Sequence, residues 1–215
     1  MLKGKKLSIL GDSVSTYRGV SNDANANHTI FGNHCHYDLP FPLEKTYWFL
    51  VMKELGLELC VNNSWSSGNL SGQHIPAAGV NRASQLSRDD GTCPDFIIVF
   101  MGLNDLGRNV PLDVFSADYT KTLLTIKEKH PKAYTCCINM PDREPYFKER
   151  ALLFNAAIEE AVAVAGEGFF IADLFNSPLN NDNYYNNTTD GLHPDEDGMR
   201  MIAEVVINAI KKNLN

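Results

Sequence analysis

Apolar residues are concentrated in short runs that alternate with longer amphipathic segments along the chain. The strand-length runs lie near residues 6–11, 57–61, 95–101, 133–139 and 169–174. Helical periodicity is clearest over residues 112–129, 146–165 and 195–212. Five alternating β-α units predict an α/β fold in which helices cover both faces of a parallel sheet and the crossovers are right-handed.

The chain is long enough to form one domain around a single core. It has 215 residues, of which 44% are hydrophobic. No linker-like stretch, internal repeat or low-complexity tract divides it. We therefore predict one domain over residues 1–215.

Composition excludes several classes of partner. The formal net charge is -7 and no basic stripe is present, which argues against a nucleic-acid ligand. No apolar run approaches the ~18 to 20 residues of a membrane span, and the first run is too short for a signal peptide. We predict a cytoplasmic protein without a membrane span, with an exported protein as the alternative, and make no prediction of its oligomeric state. The five cysteines include no Cys-x-x-Cys pair, which fits reduced thiols.

Three predicted strands are followed by residues that suit nucleophilic chemistry. Ser13, in the sequence Gly-Asp-Ser, follows the first strand, whereas Gly68 and Asn104 follow the second and third. The carboxyl ends of parallel strands form the edge of the sheet where ligands bind. The Asn104 amide and the N–H groups of Gly68 and Ser13 could donate to a developing oxyanion. Tight turns alone would also account for a glycine and an asparagine at these positions.

An aspartate and a histidine, Asp190 and His193, are three residues apart in the sequence Asp-Gly-Leu-His-Pro. A serine hydroxyl needs an imidazole to take its proton and a carboxylate to orient that imidazole. Ser13, His193 and Asp190 could supply these three groups. Alternatively, Asp190 and His193 only cap the C-terminal helix, and Pro194 suits the first position of that helix.

Together these segments resemble the four sequence blocks of the SGNH hydrolases, also called GDSL esterases and lipases. The blocks are Gly-Asp-Ser-Val at 11–14, Asn-Asn-Ser-Trp-Ser-Ser-Gly at 62–68, Gly-Leu-Asn-Asp at 102–105 and Asp-Gly-Leu-His-Pro at 190–194. The resemblance implies a flavodoxin-like three-layer α/β/α fold whose five-stranded parallel sheet has the order 2-1-3-4-5. It also implies that Ser13 is the nucleophile, His193 the base and Asp190 its orienting acid. Ser13, Gly68 and Asn104 would then form the oxyanion hole.

A long polar and aromatic segment between Ser15 and Thr46 follows the Gly-Asp-Ser block directly. Long loops without regular structure are often functional, so we expect this segment to fold over the site. Alternatively, its aromatic residues form a satellite core at the end of the sheet. The candidate pocket walls are Tyr17, Phe31, Tyr37, Phe41 and Trp48. Trp65 and Arg108 are two further candidate substrate contacts.

The same segment contains His28, His34 and His36, with Cys35 between the last two. A His-x-His spacing occurs in metal sites, but further ligands would be required and serine-based ester hydrolysis needs no metal. We therefore predict neither a metal nor a cofactor.

The sequence predicts a serine esterase that acts on a small-molecule ester through an acyl-enzyme. Its Asn- and His-rich loops favour a short acyl group, such as acetyl, on a polar alcohol, such as a carbohydrate. One alternative is a lysophospholipase or thioesterase that acts on lipid acyl chains. An alternative from a different class is a non-catalytic flavodoxin-like binding module.

Overall fold

The structure is a computed structural model that describes residues 2–17, 20, 41–143 and 145–214, but not the side chains of residues 145, 146, 181 and 182. Five parallel strands form one sheet. They are β1 (Lys6–Gly11), β2 (Glu58–Ser64), β3 (Phe96–Phe100), β4 (Tyr134–Ile138) and β5 (Phe169–Ala172). Their order in the sheet is β2-β1-β3-β4-β5. This order confirms the predicted flavodoxin-like arrangement.

Seven α-helices connect and cover the strands in the described part of the chain. The four longer helices are α1 (Tyr47–Leu55), α4 (Leu112–Lys129), α5 (Pro145–Ala165) and α7 (Glu196–Asn213). The three short helices are α2 (Gly79–Arg82), α3 (Leu103–Gly107) and α6 (Asn181–Asn186). Helix α1 packs against α7 and helix α4 packs against α5, which gives two helical layers with the sheet between them.

The burial of β3 explains why polar and apolar residues do not alternate along it. All five residues of this central strand are buried, because helices cover both faces of the sheet. Strand β1 is also buried from Leu7 to Gly11, which places its carboxyl end inside the molecule. The first strand therefore delivers the following turn to a buried position at the edge of the sheet.

The ends of α1 and α7 follow from local capping. Gly56 ends α1 in the left-handed conformation, with a φ of 70°. The Asp195 side chain accepts a hydrogen bond from the Gly198 N–H and so caps α7, which begins at Glu196. Pro194 therefore lies before the helix rather than at its first position, and that prediction is wrong. Throughout the described residues, each helix is too short or too polar to cross a membrane.

Candidate active site

The turn after β1 presents Ser13 at the carboxyl edge of the sheet. Ser13 begins a short 3₁₀ turn, Ser13–Ser15, and the Asp12 side chain caps this turn by accepting from the Val14 N–H at 3.0 Å. The backbone at Gly11 lies very close to the side chains of Ser15 and Ser64. A Cβ at Gly11 would lie 2.5 Å from the Ser15 Cβ and 2.7 Å from the Ser64 Oγ. Only glycine fits that position without a shift of the turn.

Ser13, His193 and Asp190 are joined by two hydrogen bonds. The Ser13 Oγ lies 3.0 Å from the His193 Nε2, and the His193 Nδ1 lies 2.8 Å from the Asp190 Oδ2. An ionised carboxylate can only accept, so this geometry suits the neutral tautomer that carries its proton on Nδ1 and leaves Nε2 to accept from the serine. Only 6% of His193 is exposed, whereas 37% of the Asp190 side chain is exposed. The imidazole is therefore held between a hydroxyl and an exposed acid.

The turn that carries His193 is organised by Asp190 itself. The Asp190 Oδ1 accepts from the N–H groups of Leu192 at 3.0 Å and of His193 at 2.8 Å. Gly191 supplies the left-handed backbone of this turn, with a φ of 80°. The Tyr184 hydroxyl also donates to the Leu192 carbonyl at 2.6 Å. Asp190 thus fixes both the backbone and the ring of His193, and because Asp195 caps α7, the helix-cap interpretation of Asp190 and His193 is wrong.

The Asn104 side chain lies between the Ser13 turn and the segment that follows β2. Its Nδ2 donates to the Gly68 carbonyl at 3.1 Å and contacts the Asp12 Oδ2 at 3.3 Å. The Gly68 N–H, predicted to face the site, instead donates to the Trp65 carbonyl at 3.0 Å. Gly68 therefore contacts Asn104 through its carbonyl, and its own N–H closes a turn.

Asp12 is the buried acid beside the serine. Only 2% of it is exposed, and this burial raises its pKa to about 7, although the hydrogen bond from Val14 and the charge of Arg82 oppose the shift. Its role in the turn is structural, because its carboxylate caps Ser13–Ser15 and contacts the Asn104 amide.

Arg82 is a buried cation that the sequence analysis did not identify as part of this region. It is 1% exposed, and burial lowers its pKa to about 9. Its guanidinium donates to the carbonyls of Ala77 at 2.9 Å and Gly11 at 3.1 Å, and also to the Asn63 carbonyl. Arg82 thereby ties the carboxyl ends of β1 and β2 together directly beneath the Ser13 turn. Its partners are distant in sequence, so no local pattern reveals this role.

Asp105 was also missed, although it stands in the Gly-Leu-Asn-Asp block. It is fully buried and accepts from the N–H groups of Leu70 at 2.7 Å and Ser71 at 2.9 Å. Burial raises its pKa. The carboxylate holds the segment after Gly68 against α3 and so fixes the neighbour of Asn104. The aspartate that follows Asn104 in the block is the signal that could have indicated this role.

A small pocket opens over Ser13 and His193. Its volume is about 280 Å³, and it is lined by Asp12, Ser13, Val14, Leu103, Asn104, Gly107, Arg108, Arg143, Phe147, Leu192 and His193. Arg108 was predicted as a substrate contact, and the lining adds Arg143 and Phe147 to it. Both come from the segment at the start of α5, which reaches the pocket from the far side of β3.

The predicted aromatic walls that the structure describes lie outside this pocket. Trp48 is fully buried and Phe41 is 4% exposed in the core, so the prediction that they line a pocket is wrong. Trp65 is 5% exposed and faces the Arg82 guanidinium at 5.9 Å from its ring centre. Tyr17 packs against the core. The large aromatic side chains near β1 and β2 pack in the core. Their positions in the sequence alone do not distinguish a core residue from one that lines a pocket.

Several predictions fall outside the described residues. They concern the pocket walls Phe31 and Tyr37, most of the expected lid between Ser15 and Thr46, and the possible metal ligands His28, His34, Cys35 and His36. Within the residues that the structure describes, no group of three His, Cys, Asp or Glu side chains could hold a metal ion.

Comparisons with known proteins find one matching family and several similar sequences and structures. A model of the GDSL-like lipase/acylhydrolase family matches residues 9–201. An arylesterase of Vibrio mimicus is 25% identical over 201 residues, which cover 91% of this chain and 93% of that protein. A crystal structure of a GDSL-like lipase candidate from Bacteroides ovatus superposes with a TM-score of 0.73 at 21% identity, covering 98% of this chain and 99% of that one. A family 3 carbohydrate esterase of Clostridium thermocellum superposes with a TM-score of 0.67 at 17% identity, covering 99% of this chain and 98% of that one.

Proposed function

The chain belongs to the GDSL-like lipase/acylhydrolase family and is a hydrolase of ester bonds, and from that premise we propose that it works through an acyl-enzyme on Ser13. Its substrates would carry a short acyl group, such as acetyl, on a polar alcohol, such as a carbohydrate. The alternative of a non-catalytic binding module is set aside by the family. The observation that carries the proposal is the hydrogen-bonded series from Ser13 through His193 to Asp190.

In the first half-reaction, the His193 Nε2 takes the proton of the Ser13 hydroxyl as the Oγ attacks the ester carbonyl. The positive charge that forms on the imidazole faces Asp190, which stabilises it and holds the ring in place. Collapse of the tetrahedral intermediate breaks the bond to the alcohol, and the alcohol leaves with the proton from His193. Water then attacks the acyl-enzyme with the same assistance and releases the acid.

The oxyanion of this intermediate would be held by the Ser13 N–H and the Asn104 Nδ2. Among the described residues, the Ser13 N–H has no acceptor in its turn, since the turn bonds begin at Val14 and Ser15. The 3.3 Å bond from the Asn104 Nδ2 to Asp12 is the longer of the two that this nitrogen donates, and an oxyanion would replace it. Gly68 then acts as the carbonyl that aims the Asn104 amide rather than as a donor.

The size of the pocket supports a short acyl group. About 280 Å³ of space is close to the lower limit of small-molecule sites, which is enough for an acetyl group and part of a polar alcohol. The likeness to a carbohydrate esterase supports the same class of alcohol. Both observations disfavour the long acyl chains of the lipid alternative.

Hydrolysis of p-nitrophenyl esters from acetate to palmitate tests the proposal. We expect the highest kcat/KM at two to four acyl carbons, by the size argument above. We expect the Ser13→Ala variant, with an unchanged circular dichroism spectrum, to lose turnover by a factor of about 10⁶. Retained turnover in that variant would refute the role of Ser13. A maximum at long chains with an inactive variant would keep the mechanism and overturn the proposed substrate.

A further inference from the structure

Two arginines from different parts of the chain converge on the pocket that contains Ser13 and His193. Arg108 follows α3, and Arg143 precedes α5. Both line the pocket, which also has the apolar side chains of Leu103, Phe147 and Leu192 in its wall. An uncharged acetyl ester gives neither guanidinium a partner, so their presence beside the nucleophile needs a separate explanation.

The bonds of Arg108 leave its charge uncompensated. Its Nη1 donates to the Ser67 carbonyl at 2.7 Å and to the side-chain oxygen of Asn69, which are both neutral acceptors. No carboxylate pairs with Arg108 within the part of the chain that the structure describes. A guanidinium has five N–H donors, so most of them remain available to a ligand.

Two aromatic rings, rather than hydrogen-bond acceptors, contact the Arg143 guanidinium in the described structure. Its guanidinium carbon lies 5.4 Å from the centre of the Tyr184 ring and 6.0 Å from that of Phe147. Its Nε is buried without a hydrogen-bond acceptor among the described residues. Stacking on aromatic faces fixes the plane of a guanidinium and leaves its edge free to bind an oxyanion group. A buried donor without an acceptor is unfavourable, so the position of this guanidinium is set by the rings rather than by hydrogen bonds.

The acidic groups that the structure describes near the pocket already have partners. Asp190 is bonded to His193, and Asp12 to the Val14 N–H and the Asn104 amide. Asp142, the neighbour of Arg143 in sequence, pairs with Lys148 at 2.7 Å. Arg108 and Arg143 are the two cationic side chains in the described lining of the pocket, in a chain whose net charge is -7.

We propose that this pocket selects esters that carry an anionic group, a carboxylate or a phosphate, which Arg108 and Arg143 bind while the ester carbonyl faces Ser13. This proposal rests on the proposed function, because it assigns the substrate class of the same site. The planar guanidinium edge matches the two oxygens of a carboxylate or phosphate, which gives both affinity and orientation. The anion is on either the acyl or the alcohol part of the ester, and the experiment separates the two.

The test compares kcat/KM within pairs of esters that differ mainly in the anion. The alcohol-side esters are 3-acetoxybenzoate and 3-acetoxyphenyl phosphate, each compared with phenyl acetate. The acyl-side pair is monophenyl succinate and phenyl butyrate, with the uncatalysed rate subtracted. We expect a preference of about tenfold or more for the anionic member of at least one pair, as one charge-assisted hydrogen bond would give. We expect 0.5 M salt to reduce this preference.

Variants show whether the arginines cause the preference. In Arg143→Met, which can still pack against Tyr184 and Phe147, the ratio of anionic to neutral kcat/KM should fall to about one, and Arg143→Lys should keep part of the preference. The matched control is Arg88→Gln, because Arg88 also donates to backbone carbonyls, those of Leu59 and Cys60, but does not line this pocket. The control should keep the wild-type ratio. The ratio is insensitive to a general loss of folded enzyme.

The outcomes separate this proposal from the proposed function. Equal kcat/KM within every pair, with neutral esters still cleaved by the wild type and not by Ser13→Ala, would overturn the anion site and leave the esterase intact. If no ester is cleaved, calorimetry of 3-acetoxybenzoate with the wild type decides. Binding that is lost in Arg143→Met would support the anion site while the proposed function fails, and no binding would overturn both.

Discussion

The nucleophile and its base are held in place in two different ways. Around Ser13, the supporting bonds are buried and join residues that are far apart in sequence: Arg82 bonds to the Gly11 carbonyl 71 residues away, and Asn104 contacts Asp12 92 residues away. Around His193 the supporting bonds are local, because Asp190 binds a residue three positions away and Tyr184 binds one eight positions away. One half of the site therefore depends on the assembled sheet, and the other depends on a short turn.

This difference predicts different responses to substitution. A change in the turn around His193 should alter chemistry with little effect on folding, since its bonds are few and partly exposed. A change around Ser13 should affect both, because its buried polar groups serve the sheet edge as well as the site. Leaving one member of such a buried network without its partner is costly.

Replacement of Asp190 is the sharpest test of the local half. We expect Asp190→Asn to reduce kcat by about 10⁴-fold, because an amide at this position favours the wrong tautomer of His193. The midpoint of urea unfolding should change little. Asp195→Asn is the matched control: it keeps the cap of α7 and should leave kcat unchanged. Equal activity losses in Asp190→Asn and Asp195→Asn would contradict the role of Asp190 in orienting His193, and would show that the turn acts only by starting α7.

Replacement of Asn104 tests the long-range half. We expect Asn104→Ala to lower kcat by about 10²- to 10³-fold, the usual effect of removing one oxyanion donor. Asn104→Asp should be at least as damaging, because it removes the donor and adds a negative charge beside the oxyanion. Asn176→Ala is the control, since the Asn176 amide also donates to a carboxylate, that of Asp173 at 2.7 Å, but does not line the pocket. Full activity in Asn104→Ala would remove Asn104 from the mechanism.

The buried acid Asp12 gives the smallest expected effect, which appears in stability. Burial raises its pKa from 3.8 to about 7, so the folded protein keeps a proton that the unfolded chain releases between these values. The unfolding free energy contributed by Asp12 is therefore fully present below pH 3.8 and declines as the pH rises to about 7. We expect the wild type to lose stability relative to Asp12→Asn over this range in urea melts. Parallel pH profiles for the two proteins would contradict the prediction.

The fold was predictable because its signals are local and repeated. The strand runs and the periodicity of α4, α5 and α7 gave element bounds within a few residues of those observed. The strand order came from the resemblance to the SGNH hydrolases, since apolar runs do not encode the order in which strands pair. The end of β2 was placed three residues too early, because the polar residues Asn62, Asn63 and Ser64 are buried in the strand.

The candidate site was predictable where a few adjacent residues determine the geometry. The sequence Asp-Gly-Leu-His-Pro contains both the acid and the imidazole and the glycine that their turn needs, so the bond between Asp190 and His193 follows from one motif. Arg82 has no such signal, because its role arises only when β1 and β2 lie side by side. The N–H of Gly68 was misassigned for the same reason: the partner of a backbone donor depends on how the chain turns.

Covalent labelling with a fluorophosphonate is the most direct test of Ser13 as the nucleophile. The reagent reacts with serines that an adjacent base has activated. Peptide mapping by mass spectrometry should find one adduct per chain, on Ser13, with no adduct in the urea-unfolded protein and strongly slowed labelling in His193→Ala. An adduct on another serine, or none in a preparation that hydrolyses p-nitrophenyl acetate, would contradict the account.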